Sequence, residues 1–391
     1  MSFIAERARI DTSPTVQISD RAKELKRAGE DIISLSAGEP DFLTPEYIRD
    51  YAKQALDEGY TYYPEVPGLL ELREAIAEKL KRDNGIDASP KDEIIVTVGG
   101  KEAIFLAMMA TVNPGDEVIV TDPAWVSYVP LIQLAEGKPV YLPLSESDGF
   151  CISAEALERI VSSRTKMLII NSPNNPTGSV LSKPDLETIA NLAIHKRFLV
   201  LSDELYEKII FNGEKHYSIA SFPGMKDLGI TVNGVSKSLA MTGWRLGYMS
   251  APAPIMKRMR AIHSHTVTGA CSFAQRAAAL ALRDPRTQKA IEDMASEYLH
   301  RRDLVARELS RIEKTSFIKP QGAFYAFPNI SHFGLKSLEF AKILLEKARV
   351  AIIPGDAFGL RGEGFARLSF ATSREKISSA FERIRNVVAQ L

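Results

Sequence analysis

The sequence predicts an α/β fold: a large, mostly parallel sheet covered by helices on both faces, with a smaller α+β unit beside it. Three observations lead there. From about residue 70, short apolar runs alternate with helix-like segments. Runs such as Ile94-Ile95-Val96, Leu168-Ile169-Ile170 and Leu199-Val200-Leu201 are apolar at every position, which suits strands buried on both faces. The chain has 391 residues, more than one domain commonly holds, which leaves room for a second unit.

Taken in order, 69–82 carries Leu72, Ile76 and Leu80 on one stripe and predicts a helix. A strand over 93–98 is broken by Gly99-Gly100, and a helix follows over 101–111. Further strands fall at 117–120, 138–142 and 166–170, then 198–201, 229–232 and 246–250, seven in all. The segment 184–195 reads as a helix with Pro184 in its first turn. The charged stretch 284–314 predicts a helix with a solvated charged face, leading away from the sheet. Beyond it come Gly322-Ala323-Phe324-Tyr325, a helix over 338–348, a strand over 350–353 and a last helix from Arg374. The expected division is an N-terminal segment, 1–45, joining a small C-terminal domain, 286–391, with the large domain spanning 46–285.

Composition narrows the function. Lysine plus arginine and aspartate plus glutamate number 49 each, so the formal net charge is zero. That removes the basic excess on which binding to nucleic acid or an anionic membrane depends. Cys151 and Cys271 lie far apart with no CxxC or Cys/His spacing, which argues against a disulfide framework or thiolate zinc site and fits a reducing cytoplasm. Charge precedes any apolar run at the N-terminus, and no stretch approaches the ~20 apolar residues that span a bilayer. His263 and His265 alternate without nearby metal ligands and read as a surface position where a helix passes into a loop.

In open α/β sheets ligands bind beyond the carboxyl ends of the strands, so the residues placed there matter most. After 93–98 comes Gly99-Gly100-Lys101, either a phosphate-sized anion site at a helix N-terminus or an ordinary glycine turn. After 166–170 comes Asn171-Ser172-Pro173-Asn174-Asn175-Pro176-Thr177-Gly178, a rigid loop whose amides serve a ligand or only the turn. Asp203 ends an apolar strand and is either a helix N-cap or a buried carboxylate needing a cation. Lys237 follows another strand in a small-residue loop, with Arg245 shortly after, while Met241 to Leu246 is expected to pack beneath a ligand. An anion cup, a buried carboxylate, a strand-end lysine and an arginine together suit one ligand, pyridoxal phosphate, with its phosphate, ring nitrogen and aldehyde.

The motifs Ser36-Ala37-Gly38-Glu39-Pro40-Asp41-Phe42, Asn174 to Gly178, Asp203-Glu204-Leu205-Tyr206, Ser236-Lys237, Gly243-Trp244-Arg245, Pro320 to Tyr325 and Arg367-Leu368-Ser369-Phe370 resemble those of the class I/II aminotransferases of pyridoxal-phosphate fold type I. The likeness covers nearly the whole chain, and the short N-terminus and Met241 to Arg245 are most similar to the gamma-type aspartate aminotransferases. The resemblance implies Lys237 as the Schiff-base lysine and proton carrier, Asp203 on the ring nitrogen, and Asn175 and Tyr206 on the ring hydroxyl oxygen. It implies that Trp125 stacks on the ring and that Gly99, Gly100, Lys101, Arg245 and Tyr63 of a neighbouring subunit hold the phosphate, hence a homodimer. Arg367, with Asn175, Trp125 and the Gly38 backbone, would take the substrate α-carboxylate, a task suited to a guanidinium fork. One departure stands out: many members carry a phosphate-binding serine three residues before the lysine, where this chain has Gly234, and Ser236 is the candidate replacement.

The implied reaction moves the amino group of L-aspartate to 2-oxoglutarate in a ping-pong cycle. Lys101, with Ser13 and Thr15, would receive the distal carboxylate and so favour dicarboxylic substrates. An aromatic or prephenate aminotransferase is the nearest alternative. A pyridoxal-phosphate lyase on the same fold is the alternative from another class.

Overall fold

The computed structural model describes residues 3–12 and 14–391. Its strands are β1 (Ile33–Ser34), β2 (Ile94–Thr97), β3 (Glu117–Asp122), β4 (Lys138–Pro143), β5 (Thr165–Asn171) and β6 (Leu199–Asp203), then β7 (Gly229–Gly234), β8 (Gly247–Ser250), β9 (Tyr325–Ala326), β10 (Val350–Ala351), β11 (Ile353–Pro354) and β12 (Ala366–Ser369). Seven of them form the central sheet in the order β2-β8-β7-β6-β5-β3-β4. β8 runs antiparallel to β2 and β7, and every other pairing is parallel.

The alternation of strand side chains divides the core in two. Val118, Val120, Met167, Ile169 and Leu201 enter one apolar cluster, while Ile119, Leu168, Ile170 and Val200 enter another. Both faces of the strands are thus buried, the condition their apolar composition predicts. β4, with Pro139 and Pro143, occupies an edge, where a missing backbone N–H costs no ladder bond. A separate core joins helices Arg286–Leu309 and Arg374–Val388 to the three-stranded antiparallel sheet β11-β12-β9. β1 pairs with β10 in parallel, which ties the N-terminal segment to C-terminal elements.

Several expectations are refined. The helix expected over 69–82 is α-helical over Leu70–Lys79 and closes with a π turn, Leu80–Asn84. The strand expected over 350–353 divides, because Val350–Ala351 pairs with β1 whereas Ile353–Pro354 pairs with β12. The 284–314 segment does carry a helix, Arg286–Leu309, but its charges are not all solvated. Arg302 is fully buried, donating to the Pro320 carbonyl at 3.2 Å and to Asn212 Oδ1 at 3.0 Å over the ring of Phe211. His263 is also corrected: it lies inside helix Ala253–Thr266 and is wholly buried, whereas His265 is exposed. The helices Glu46–Asp57 and Ser272–Arg283 pack on one another largely through alanines, which mark a helical face only weakly in a hydrophobicity pattern.

Candidate active site

One cleft of about 480 Å³ opens beyond the carboxyl ends of the parallel strands. Thr15, Gly38, Gly100, Lys101, Trp125, Asn175, Asp203, Tyr206, Ser236, Lys237, Arg245 and Arg367 all line it, although they are scattered from one end of the chain to the other. Gly99 is not among the lining residues and sits against the Arg245 guanidinium. Ser13 falls outside the described residues. Tyr63 is not in the cleft; it is 89% exposed in the single chain.

The glycine turn after β2 is shaped by close approach. Gly99 has φ +78°, and a Cβ there would lie 2.5 Å from Arg245 Nη2. Helix Gly100–Thr111 begins immediately, so its first amide N–H groups have no intrahelical acceptor. Arg245 Nη1 donates to the Thr242 carbonyl at 2.9 Å, which holds the guanidinium over Gly99. Met241 and Leu246 are buried at either end of this segment among Leu239, Val96 and Tyr248. Gly234 has a packing reason: its Cβ would come within 3.1 Å of Gly247 Cα on the neighbouring strand. Ser236, two residues on, is buried and lines the cleft.

Asp203 is the last residue of β6 and is buried. Its Oδ2 accepts from Tyr128 Oη at 2.7 Å and its Oδ1 from the Leu205 amide at 3.3 Å. Burial pushes its carboxyl up to about 6, against the pull of the Tyr128 hydrogen bond. No helix follows for it to cap, so the buried-carboxylate reading is the one the geometry fits. Lys237 is partly exposed, and its Nζ donates to the Gly38 carbonyl at 2.5 Å. Desolvation, aided by the positive charges of Arg367 and Arg245, brings its ammonium down to about 8, although Glu39 and Asp203 oppose the shift. Tyr206 shares a hydrogen bond of 2.8 Å with Tyr325 Oη.

The asparagine-rich loop separates its two uses. Asn174 Oδ1 accepts from the Thr177 amide and hydroxyl, so Asn174 serves the turn. Asn175 is anchored by its amide to Asn171 Oδ1 at 2.8 Å, and its own Oδ1 accepts from Arg367 Nη1 at 2.9 Å. Arg367 Nη2 donates to the Ser36 carbonyl at 2.9 Å, while its buried Nε has no partner among the described residues. The guanidinium also packs on Tyr325 and Phe358, 4.4 and 5.0 Å from their ring centroids. Trp125 meets Tyr128 edge-on, and Lys101 Nζ stands 5.1 Å from the Trp125 centroid. Burial, then Arg245, lowers the Lys101 ammonium below its ordinary range.

A second cavity of about 560 Å³ lies on the other side of the 234–239 loop. Its charges pair with one another, Lys79 with Glu207 and Arg283 with Glu78, so it lacks the convergent, available groups of the first cleft. Sequence reasoning missed Tyr128 and Tyr325 as partners of site residues, and the Ser36 carbonyl. No spacing in the sequence signals Tyr128, which opens helix Tyr128–Leu134 and is brought to Asp203 by the fold alone.

The groups named above thus converge at the strand ends of one sheet, where open α/β sheets bind their ligands. Comparison with known proteins identifies the family: the chain belongs to the class I and II aminotransferases, whose pattern matches residues 30–384. It is 50% identical to an aspartate aminotransferase of Pyrococcus abyssi, over 92% of each chain. It is 47% identical to aromatic-amino-acid aminotransferase 2 of Thermococcus litoralis, over 94% of each. Among solved structures it is similar to the aspartate aminotransferase from Thermus thermophilus with maleate, with a TM-score of 0.95 and 40% identity, covering 99% of this chain and 100% of that one. The chain is an aminotransferase.

Proposed function

We propose that this enzyme transfers the amino group of L-aspartate to 2-oxoglutarate, using pyridoxal 5′-phosphate in a ping-pong cycle. The observation that carries the substrate reading is the pair of separated cations, Lys101 and Arg367, lining one cleft with Lys237. A dicarboxylic amino acid can engage both, whereas a neutral one leaves Lys101 without an anion. The names of the relatives from Pyrococcus abyssi and Thermus thermophilus support the same choice. The Thermococcus litoralis relative supports the second reading, an aromatic amino acid donor.

The residues fit the cofactor. The turn at Gly99 leaves a cradle that a side chain would fill, with Arg245 turned over it. Asp203 has no ion-pair partner among the described residues, so a protonated ring nitrogen would supply the cation its burial calls for. When bound, pyridoxal phosphate supplies an aldehyde carbon for the amino group and a ring that accepts electrons. In this reading the backbone at Gly99, Gly100 and Lys101, with the side chains of Ser236 and Arg245, would hold its phosphate, Asn175 and Tyr206 its ring oxygen, and Trp125 would pack on the ring, which leaves the Lys101 ammonium for the substrate. Lys237 needs a neutral nitrogen to attack the aldehyde, and an ammonium lowered to about 8 provides one far more often than free lysine does at ~10.4. Its Nζ would then take the proton from substrate Cα and deliver it to the cofactor carbon that receives the amino group. Arg367 binds the α-carboxylate, and Lys101, with Thr15 and Ser13, the distal one.

A homodimer belongs to the same reading. Tyr62, Tyr63 and Leu43 are 83, 89 and 80% exposed, large apolar groups that a partner subunit would cover while Tyr63 reaches its phosphate. We also assign 1–45 and 286–391 to a small domain and 46–285 to a large one. A cytoplasmic setting suits the free cysteines Cys151 and Cys271. No described helix is long and apolar enough to cross a membrane. The substrate reading is tested by Lys101→Ser, which is expected to raise KM for aspartate about tenfold while moving KM for phenylalanine about twofold or less. Equal effects on both would reject the assignment of Lys101 to the distal carboxylate.

A further inference from the structure

The helix that offers its N-terminus to a phosphate carries a carboxylate, Glu102, in its own first turn, where like-charge repulsion would oppose anion binding. The geometry gives that carboxylate another task. Glu102 Oε2 accepts from the Val98 amide at 2.5 Å, and Oε1 meets His263 Nδ1 at 3.0 Å. Val98 is the residue just before the Gly99 turn. His263 is wholly buried on helix Ala253–Thr266, which packs against helix Gly100–Thr111, and its Nε2 has no partner among the described residues.

The need for such a device follows from the glycine. Ser, Thr, Asp or Asn at the N-cap would fix the first turn through its side chain. That choice is closed here, because Gly99 is the N-cap and any Cβ would strike the Arg245 guanidinium. Glycine also leaves the turn more backbone freedom than any other residue. Glu102, three residues into the helix, reaches back past the N-cap glycine to the Val98 N–H, one residue beyond the amide a capping box would engage, while the Gly99 N–H donates to the Thr97 carbonyl at 2.8 Å. A glutamate held at one oxygen could still swing; His263 holds the other.

We propose that Glu102 and His263 are positioning residues for the cofactor phosphate, fixing the 98–100 turn so that the free N–H groups in the first turn of helix Gly100–Thr111 and Arg245 face one point. The inference rests on the pyridoxal-phosphate reading above. The test titrates the apoprotein with pyridoxal phosphate and, separately, with pyridoxal, which lacks the phosphate. Glu102→Ala is expected to weaken pyridoxal phosphate about tenfold and pyridoxal about twofold or less. His263→Leu should act in the same direction. Glu102→Gln can still accept from Val98 and His263→Asn can still donate to Glu102, so both should stay within about threefold of the parent protein for pyridoxal phosphate. These two variants also separate the effect from a failure to fold. Unchanged affinity in Glu102→Ala, equal losses for the two ligands, or a Gln variant as weak as the Ala variant would each overturn the pair's role. A parent protein that develops no visible band with pyridoxal phosphate would instead fail the cofactor reading, and this inference with it.

Discussion

Arg367→Lys separates the two carboxylate sites by arithmetic on hydrogen bonds. A guanidinium has five N–H donors. Arg367 uses one on Asn175 and one on the Ser36 carbonyl, each at 2.9 Å, and its Nε–H is buried without a partner. Three N–H remain, enough for a two-pronged grip on a carboxylate. An ammonium has three donors in all, so a lysine that kept both structural bonds would have one left. The substrate then loses about one charge-assisted hydrogen bond, or about 1.5–3 kcal/mol, which is roughly a 10- to 100-fold rise in KM. The α-carboxylate is common to every amino acid, so the loss should be equal for aspartate and phenylalanine. Steady-state kinetics with both donors reads it directly. A KM change within about twofold for both, or a change confined to aspartate, would refute this assignment of Arg367.

Lys237 in the apoprotein should react with an amine-directed reagent with a midpoint near pH 8, because deprotonation there precedes that of an exposed lysine by about two pH units; a midpoint above 10 would remove the desolvation argument, and Lys237→Ala should abolish turnover. Because burial lowers this ammonium, the unfolded chain binds the proton more tightly, so Lys237 contributes stability that grows as pH rises from about 8 to about 10. Gly234→Ser should lower apoprotein stability by about 1–3 kcal/mol, since its Cβ meets Gly247 Cα at 3.1 Å. A rise in melting temperature would show that the strands can part at no cost.

The strands of the central sheet are legible because buried parallel strands are apolar throughout, and Lys237, Asp203 and the Gly99 turn stand out in the sequence because they follow such strands, where open α/β sheets bind ligands. Several features were not. Alanine-lined helices such as Ser272–Arg283 give little contrast in a hydrophobicity pattern although they pack tightly. Tyr128 reads as an apolar helix residue, and only the fold turns its hydroxyl onto Asp203. His263 looked like a surface histidine because its partner, Glu102, lies on a helix far away in sequence. The charges of Arg301 and Arg302 suggested solvent, yet Arg301 pairs with Asp41 and Glu297 and Arg302 caps carbonyls in the core. Pairings between distant segments decide each case, and periodicity carries no information about them.

The central claim, that Lys237, Asp203 and Arg367 surround pyridoxal phosphate and pass it the amino group of aspartate, is met most directly by the absorbance spectrum of the purified protein before and after aspartate alone. The account predicts a visible band that aspartate removes, with pyridoxamine phosphate and oxaloacetate formed in equal amounts. A band that ignores aspartate and responds to phenylalanine would contradict the substrate assignment. No band, even after pyridoxal phosphate is added, would contradict the cofactor and the role given to Lys237.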